Sequence, residues 1–185
     1  MRQLKPSAVY VHERVKKDPR AVARVERMMA KIETPSITEG ITDDELDAIV
    51  NEAGWRDSRR LTGIKKVEDP IVILNAFDFD LQKNDRRQGG RDIYRGGGGW
   101  ALRDRERVMQ SARTVCQTAY ELHTARGCLF KCDYCYLQNA LNIMVNIEAY
   151  VEQLADLVEK SPQTLYKWDS QSDILTFEPE YDAAR

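Results

Sequence analysis

Three of the four cysteines in this 185-residue chain follow one another closely, spaced as Cys128-x3-Cys132-x2-Cys135. Three thiolates at this spacing can bind one face of a cubic [4Fe–4S] cluster, which usually takes four cysteine ligands. One iron then remains open to a ligand from outside the protein. Arg126 and Lys131 add positive charge, which favours the deprotonated thiolates that metal binding requires.

The same cysteines could instead hold a structural zinc ion, with Cys116 or His123 as the fourth ligand. Zinc sites usually combine two separate cysteine or histidine pairs, and this sequence has no second pair. The favoured interpretation therefore makes Cys116 a small buried residue and His123 a core histidine. A disulfide framework is not expected from four cysteines without a signal peptide, so we expect a cytoplasmic protein.

The residues around the cysteines resemble the radical S-adenosylmethionine (SAM) superfamily and, within it, the spore photoproduct lyase family. An aromatic residue precedes the last cysteine, as in the superfamily motif. The narrower resemblance is close over residues 120–185 and loose over residues 1–119. It rests on Gly127-Cys128, Cys132-Asp133-Tyr134-Cys135-Tyr136-Leu137-Gln138, Val145-Asn146-Ile147-Glu148 and Ser172-Asp173-Ile174.

This resemblance implies a [4Fe–4S] cluster on the three cysteines and SAM on its open iron, together generating a 5′-deoxyadenosyl radical. By position, Ser172, Asp173 and Tyr134 match the SAM site, while Tyr134 and Tyr136 match tyrosines implicated in passing hydrogen atoms. Ser170 occupies the place of the family's hydrogen-donor cysteine. A serine O–H is a poorer hydrogen-atom donor than a thiol, so lesion repair is not expected to follow from the resemblance alone.

Two functions fit these residues. One is a radical SAM lyase-like enzyme, with DNA as a possible substrate class. The other is a non-catalytic protein that binds an iron–sulfur cluster. The residues indicate no particular electron donor, and conversion of SAM to 5′-deoxyadenosine distinguishes the two functions.

The elements that must position the cysteines predict an α/β fold. Val9–Val11 and Ile71–Leu74 are apolar enough for strands, and Pro19 suits the first position of a helix that runs to Ile32. Thr42 and Glu45 form a capping box for a second helix. Further strands are expected at 119–124 and 164–168. Between them, Asn146 is predicted to cap a helix with an apolar stripe at Ile147, Tyr150, Val151, Leu154, Leu157 and Val158.

Strand, loop, helix and strand in this order are typical of the start of a parallel barrel, in which loops at the carboxyl ends of strands bear the chemistry. The resemblance implies a radical SAM partial (βα)6 TIM-type barrel, preceded by a small α/β N-terminal region. We therefore divide the chain into an N-terminal α/β region (1–80), a Gly/Arg-rich linker (81–114) and the beginning of the barrel (115–185). The last part has room for about two βα units, so we expect an incomplete barrel.

Charge is distributed unevenly along the chain. The net charge is −2, and no apolar run is long enough to cross a membrane. Residues 83–113, however, contain nine basic residues against four acidic ones, together with a run of four glycines. Such a segment is either a solvated linker or a contact for nucleic-acid phosphates. The candidates for phosphate contact are Arg86, Arg87, Arg91 and Arg95.

Overall fold

The computed structural model describes residues 5–52, 70–82, 93–103, 118–128 and 140–168, together with Ser172 and Tyr181. Three α-helices and eight strands lie in these ranges. The helices are α1 (Pro19–Met29), α2 (Asp43–Glu52) and α3 (Ile147–Lys160). The strands are β1 (Ala8–His12), β2 (Ile37–Ile41), β3 (Ile71–Asn75), β4 (Trp100–Arg103), β5 (Ala119–Leu122), β6 (Ala125–Arg126), β7 (Ala140–Met144) and β8 (Tyr166–Trp168).

The larger of the two sheets has the strand order β2-β1-β3-β7-β6. Its strands are parallel except β6, which is antiparallel to β7. Strands β3 and β7 are almost continuously apolar because both faces of the sheet are covered. On one face, Val25 and Met28 of α1 belong to the core cluster that includes Leu74 and Ile143. On the other face, residues of α2 pack around Ile73.

The smaller sheet has the order β4-β5-β8, with β5 and β8 parallel. Trp100, Tyr120 and Leu122 of this sheet form a third buried cluster with Tyr150 of α3. The Tyr150 ring lies 4.6 Å from the ring of Phe77, which follows β3. Helix α3 therefore joins the smaller sheet to the residues that follow the larger one.

Several sequence predictions are confirmed. Pro19 begins α1, and Asp18 caps it by accepting a hydrogen bond from the Arg20 amide. The capping box at α2 is formed, with the Thr42 amide donating to Glu45 at 2.8 Å and the Glu45 amide donating to the Thr42 hydroxyl at 3.3 Å.

One prediction about α3 is wrong. Asn146 makes no side-chain capping bond. Its Oδ1 accepts instead from the Phe77 amide at 2.7 Å, which ties α3 to the end of β3. The helix itself is confirmed, and within its apolar stripe Ile147 and Tyr150 are buried whereas Val151 is 53% exposed. Strand β7, which the sequence did not predict, lies between β3 and β6 in the larger sheet. Along the chain it lies between the cysteine motif and α3.

The α/β class is confirmed, with a mixed, mainly parallel sheet. The described strands form two open sheets and no closed barrel. Strands from residues 1–80 and from residues 115–185 share the larger sheet. The predicted boundary after residue 114 lies outside the described residues, so the three-part division stays a prediction. None of the described helices has the length and apolar character of a membrane span.

Residues 93–103, which the sequence placed in the linker, differ from a flexible linker. Gly96–Gly97 end a π-helical turn that begins at Ile93, and β4 follows. All four glycines of residues 96–99 are buried. Gly96 has φ +111°, and a Cβ there would lie 2.6 Å from the Ala76 carbonyl oxygen. Glycine is required at this position because the backbone passes directly over the end of β3.

Candidate cluster-binding site

The first predicted cluster ligand lies directly after the edge of the larger sheet. Strand β6 ends at Arg126, and Gly127 turns the backbone with φ +89°, in the left-handed region that favours glycine. Cys128 follows and is 6% exposed. The sequence placed this cysteine in the loop after β5, but the short strand β6 intervenes and pairs with β7. The position of Cys128 is therefore set by backbone hydrogen bonds on the strand just before it.

Most of the other predicted site residues lie outside the described part of the chain. These are Cys116, Cys132, Cys135, Tyr134, Tyr136, Ser170 and Asp173. Among the residues that are described, no group of three metal-binding side chains occurs. The assignment of three cysteine ligands therefore stays a prediction, and so do the roles of the two tyrosines.

Ser172 is described, and its hydroxyl is informative. The Oγ atom is buried and makes no hydrogen bond to any described residue. Buried hydroxyl groups normally have a hydrogen-bond partner. The Ser172 hydroxyl can therefore bind a group that is not among the described residues.

His123 is 6% exposed, in agreement with a core histidine, and its backbone amide donates to the Gly99 carbonyl at 2.8 Å.

The glycine strap, defined here as residues 96–99, connects the sheets close to Cys128. The Gly98 carbonyl accepts a hydrogen bond from Arg126 Nη2 at 2.8 Å. The Gly99 carbonyl accepts from the Tyr150 hydroxyl at 2.8 Å, as well as from the His123 amide. Sequence analysis interpreted these glycines as part of a linker and did not find this role. The four-glycine run is the sequence feature from which a close backbone approach could have been inferred.

A charged cluster occupies the carboxyl ends of the parallel strands. Arg14 follows β1, is 8% exposed, and donates from Nη2 to both carboxylate oxygens of Asp43 at 2.9 Å. Its Nη1 donates to Asn75 Oδ1 at 3.2 Å and to the Arg95 carbonyl at 2.8 Å. One guanidinium thus joins β1, α2, β3 and the turn that precedes the glycine strap.

Arg95 was predicted to contact DNA, and the structure does not support this role. Its guanidinium donates to Asp47 of α2 at 3.0 Å and 2.8 Å, and Asp44 lies 3.5 Å away. The pairing carboxylates already neutralise the charge that a phosphate would need. Arg86, Arg87 and Arg91 lie outside the described residues, so their predicted phosphate contacts stay predictions.

His12 lies beside this cluster and is 1% exposed. Its Nδ1 accepts from the Arg14 amide at 3.0 Å, and its Nε2 lies 3.3 Å from Asp43 Oδ1. Burial lowers the pKa of His12 below its usual 6.5, and the Arg14 charge lowers it further. Burial alone would raise the pKa of the Asp43 carboxyl, but the hydrogen bonds and charge of Arg14 outweigh burial and hold that pKa below its usual value.

These shifts predict a loss of stability in mild acid. The pKa of His12 is lower in the folded than in the unfolded chain, so the unfolded chain binds more protons once the pH drops below about 6.5. The free energy of unfolding therefore decreases as the pH decreases. His12→Asn, which keeps an acceptor for the Arg14 amide, should flatten this decline. Urea titrations between about pH 5 and 8 test it. The same slope in both proteins would contradict the prediction.

No protein-family model matches this chain, and neither does any curated protein. Solved structures do match, and they belong to a radical SAM lyase with a similar α/β fold. That enzyme is spore photoproduct lyase. A mutant with bound AdoMet and dinucleoside spore photoproduct gives a TM-score of 0.53 at 13% identity, and another spore photoproduct lyase structure, complexed with dinucleoside spore photoproduct, gives 0.53 at 14%. The resemblance predicted from the sequence is thus confirmed for the fold.

The matches cover 99% of this chain but 45% of each lyase chain. The chain therefore spans a little under half the length of the solved structures that it resembles. At this level of identity, the likeness establishes the fold alone. Cluster binding, SAM binding and catalysis must be argued from the residues of this chain.

Proposed function

We propose that this chain is a radical SAM protein that binds a [4Fe–4S] cluster through Cys128, Cys132 and Cys135. The observation that carries the proposal is the position of the C-x3-C-x2-C motif in a chain with the fold of an AdoMet-binding lyase. The donor set fits the cluster, since thiolates are the ligands that these clusters take and three of them leave one iron open. When bound, the cluster and SAM together supply the one-electron chemistry that yields a 5′-deoxyadenosyl radical.

The chain's own residues would hold and orient these groups. Gly127 turns the backbone so that Cys128 faces away from solvent. The buried Ser172 hydroxyl, without a partner among the described residues, suits a hydrogen bond to a polar group of SAM. Asp173 and Tyr134 are proposed to complete the SAM site, and Tyr134 and Tyr136 to pass hydrogen atoms. DNA is the proposed substrate class, because the matched lyase structures hold a dinucleoside photoproduct.

The test is SAM binding and cleavage by the whole chain. After anaerobic reconstitution and reduction, adding SAM should change the electron paramagnetic resonance spectrum of the cluster. 5′-Deoxyadenosine should then form above the background of Cys128→Ser. In Ser172→Ala the SAM concentration needed for the spectral change should rise, because one hydrogen bond is lost. If adding SAM leaves the spectrum of the cluster unchanged, the non-catalytic iron–sulfur protein is favoured instead.

A further inference from the structure

The glycine strap (residues 96–99) contacts the segment that leads into the cysteine motif at two points. Arg126, two residues before Cys128, donates its Nη2 hydrogen bond to the Gly98 carbonyl at 2.8 Å. The amide of His123, just after β5, donates to the Gly99 carbonyl. The strap thus contacts the chain directly after β5 and again at the last residue of β6.

The strap is itself anchored at both of its ends. The Asp78 amide donates to the Gly96 carbonyl at 3.1 Å, and the Gly99 amide donates to Gln82 Oε1 at 3.0 Å. Arg14 holds the carbonyl of Arg95, the residue before the strap. The strap therefore links Arg126, through hydrogen bonds, to Arg14 and to the residues that follow β3.

The absence of side chains in the strap is what allows this contact. A Cβ on Gly98 would lie 2.6 Å from Arg126 Nη2 and 3.1 Å from Ile93 Cγ2. A Cβ on Gly99 would lie 2.9 Å from the Tyr150 ring and 3.1 Å from that of Phe77. At Gly98 the colliding atom is the end of a flexible side chain, so alanine would displace the guanidinium without forcing the backbone to move.

From this geometry we propose that the glycine strap and Arg126 position the turn that presents Cys128 to the cluster. The inference deepens the proposed function, because it assigns a positioning role to residues that are not cluster ligands. Arg126 is a positioning residue whose guanidinium fixes β6 against the strap.

The experiment measures how readily Cys128 is exposed in the cluster-free chain. In a background with Cys116, Cys132 and Cys135 replaced by serine, Cys128 is alkylated with iodoacetamide under native conditions. Buried groups react through local opening, so the rate reports how firmly the turn is held. Gly98→Ala and Arg126→Met should each raise the rate about tenfold, the factor expected for losing one charged hydrogen bond. Arg126→Lys, which keeps a charged donor, should restore part of the protection.

The control is Val25→Ala, which removes buried volume from α1 on the larger sheet, in a core cluster that does not include the strap. Urea titration gives the global stability of every variant. Faster alkylation in Gly98→Ala and Arg126→Met, but not in Val25→Ala, supports the inference. Equal rates in all variants, or acceleration that follows global stability alone, overturns it. Because the assay needs no cluster, its result is independent of whether the chain assembles one.

Discussion

Alanine at Cys128, Cys132 or Cys135 should abolish cluster assembly in this chain. After anaerobic reconstitution, the unsubstituted chain is expected to hold about four irons with matching sulfide and a broad visible absorption band. Each of the three thiolates would hold one iron of the cluster, so the loss of any one would leave a second iron without a protein ligand. Iron and sulfide analysis with visible spectroscopy measures the result.

Cys116→Ala is the matched control, because it removes the remaining cysteine while leaving the motif complete. It should keep iron and sulfide at the level of the unsubstituted chain. Iron that is lost in Cys116→Ala as well would make this cysteine a ligand. Stoichiometric zinc without sulfide would contradict the cluster assignment and favour the structural zinc site considered from the sequence.

Local signals in the sequence predicted local structure well. The capping box of Thr42 and Glu45 and the helix start at Pro19 are decided by neighbours within four residues, and both are confirmed. The apolar runs at Val9–Val11 and Ile71–Leu74 correspond to β1 and β3. In each case the physical cause lies inside the segment itself, as a side-chain cap, a fixed φ angle or a buried strand.

Contacts between distant segments were not predictable in the same way. Arg95 looked like a free cation in a basic stretch, but its partner Asp47 lies 48 residues earlier. Asn146 looked like a helix cap, but its side chain bonds to Phe77, 69 residues earlier. The order of the strands in the sheet decides which polar groups lie within hydrogen-bond distance of a given side chain. The sequence did not specify that order, because β7 was not recognised.

In the candidate site, too, the local features were predictable from the sequence and the contacts between distant segments were not. The cysteine spacing and the fold resemblance were evident from residues 120–185 alone. The glycine strap was not, because four consecutive glycines are compatible with a mobile linker as well as with close packing. The close contacts of Gly96 with the end of β3, of Gly98 with Arg126 and of Gly99 with Tyr150 distinguish the two.

The second large effect is expected at Arg14. Arg14→Met keeps most of the aliphatic stem but removes the guanidinium that contacts Asp43, Asn75 and the Arg95 carbonyl. The Asp43 carboxylate then loses its bidentate partner close to buried His12. We expect the free energy of unfolding to fall by about 3 kcal/mol, at the lower end for breaking buried ion pairs, because Asp43 keeps 37% of its side chain in water. Urea titration at neutral pH measures the change.

Arg20→Met is the matched control. Arg14 pairs with Asp43 and lies 3.6 Å from Asp78, and Arg20 likewise pairs with two carboxylates, those of Asp18 and Glu152, but on the surface. Its loss should change stability far less, because exposed ion pairs contribute little. In the double variant Arg14→Met with Asp43→Asn, part of the loss should be recovered, since the Asp43 carboxylate is no longer left without its partner. Equal destabilisation by Arg14→Met and Arg20→Met would mean that the cluster at the strand ends does not hold β1, α2, β3 and the turn before the strap together. If the charged cluster supports the strap, Arg14→Met should also increase the rate at which Cys128 is alkylated. If the two arginine variants lose equal stability, Arg14→Met should leave that rate unchanged.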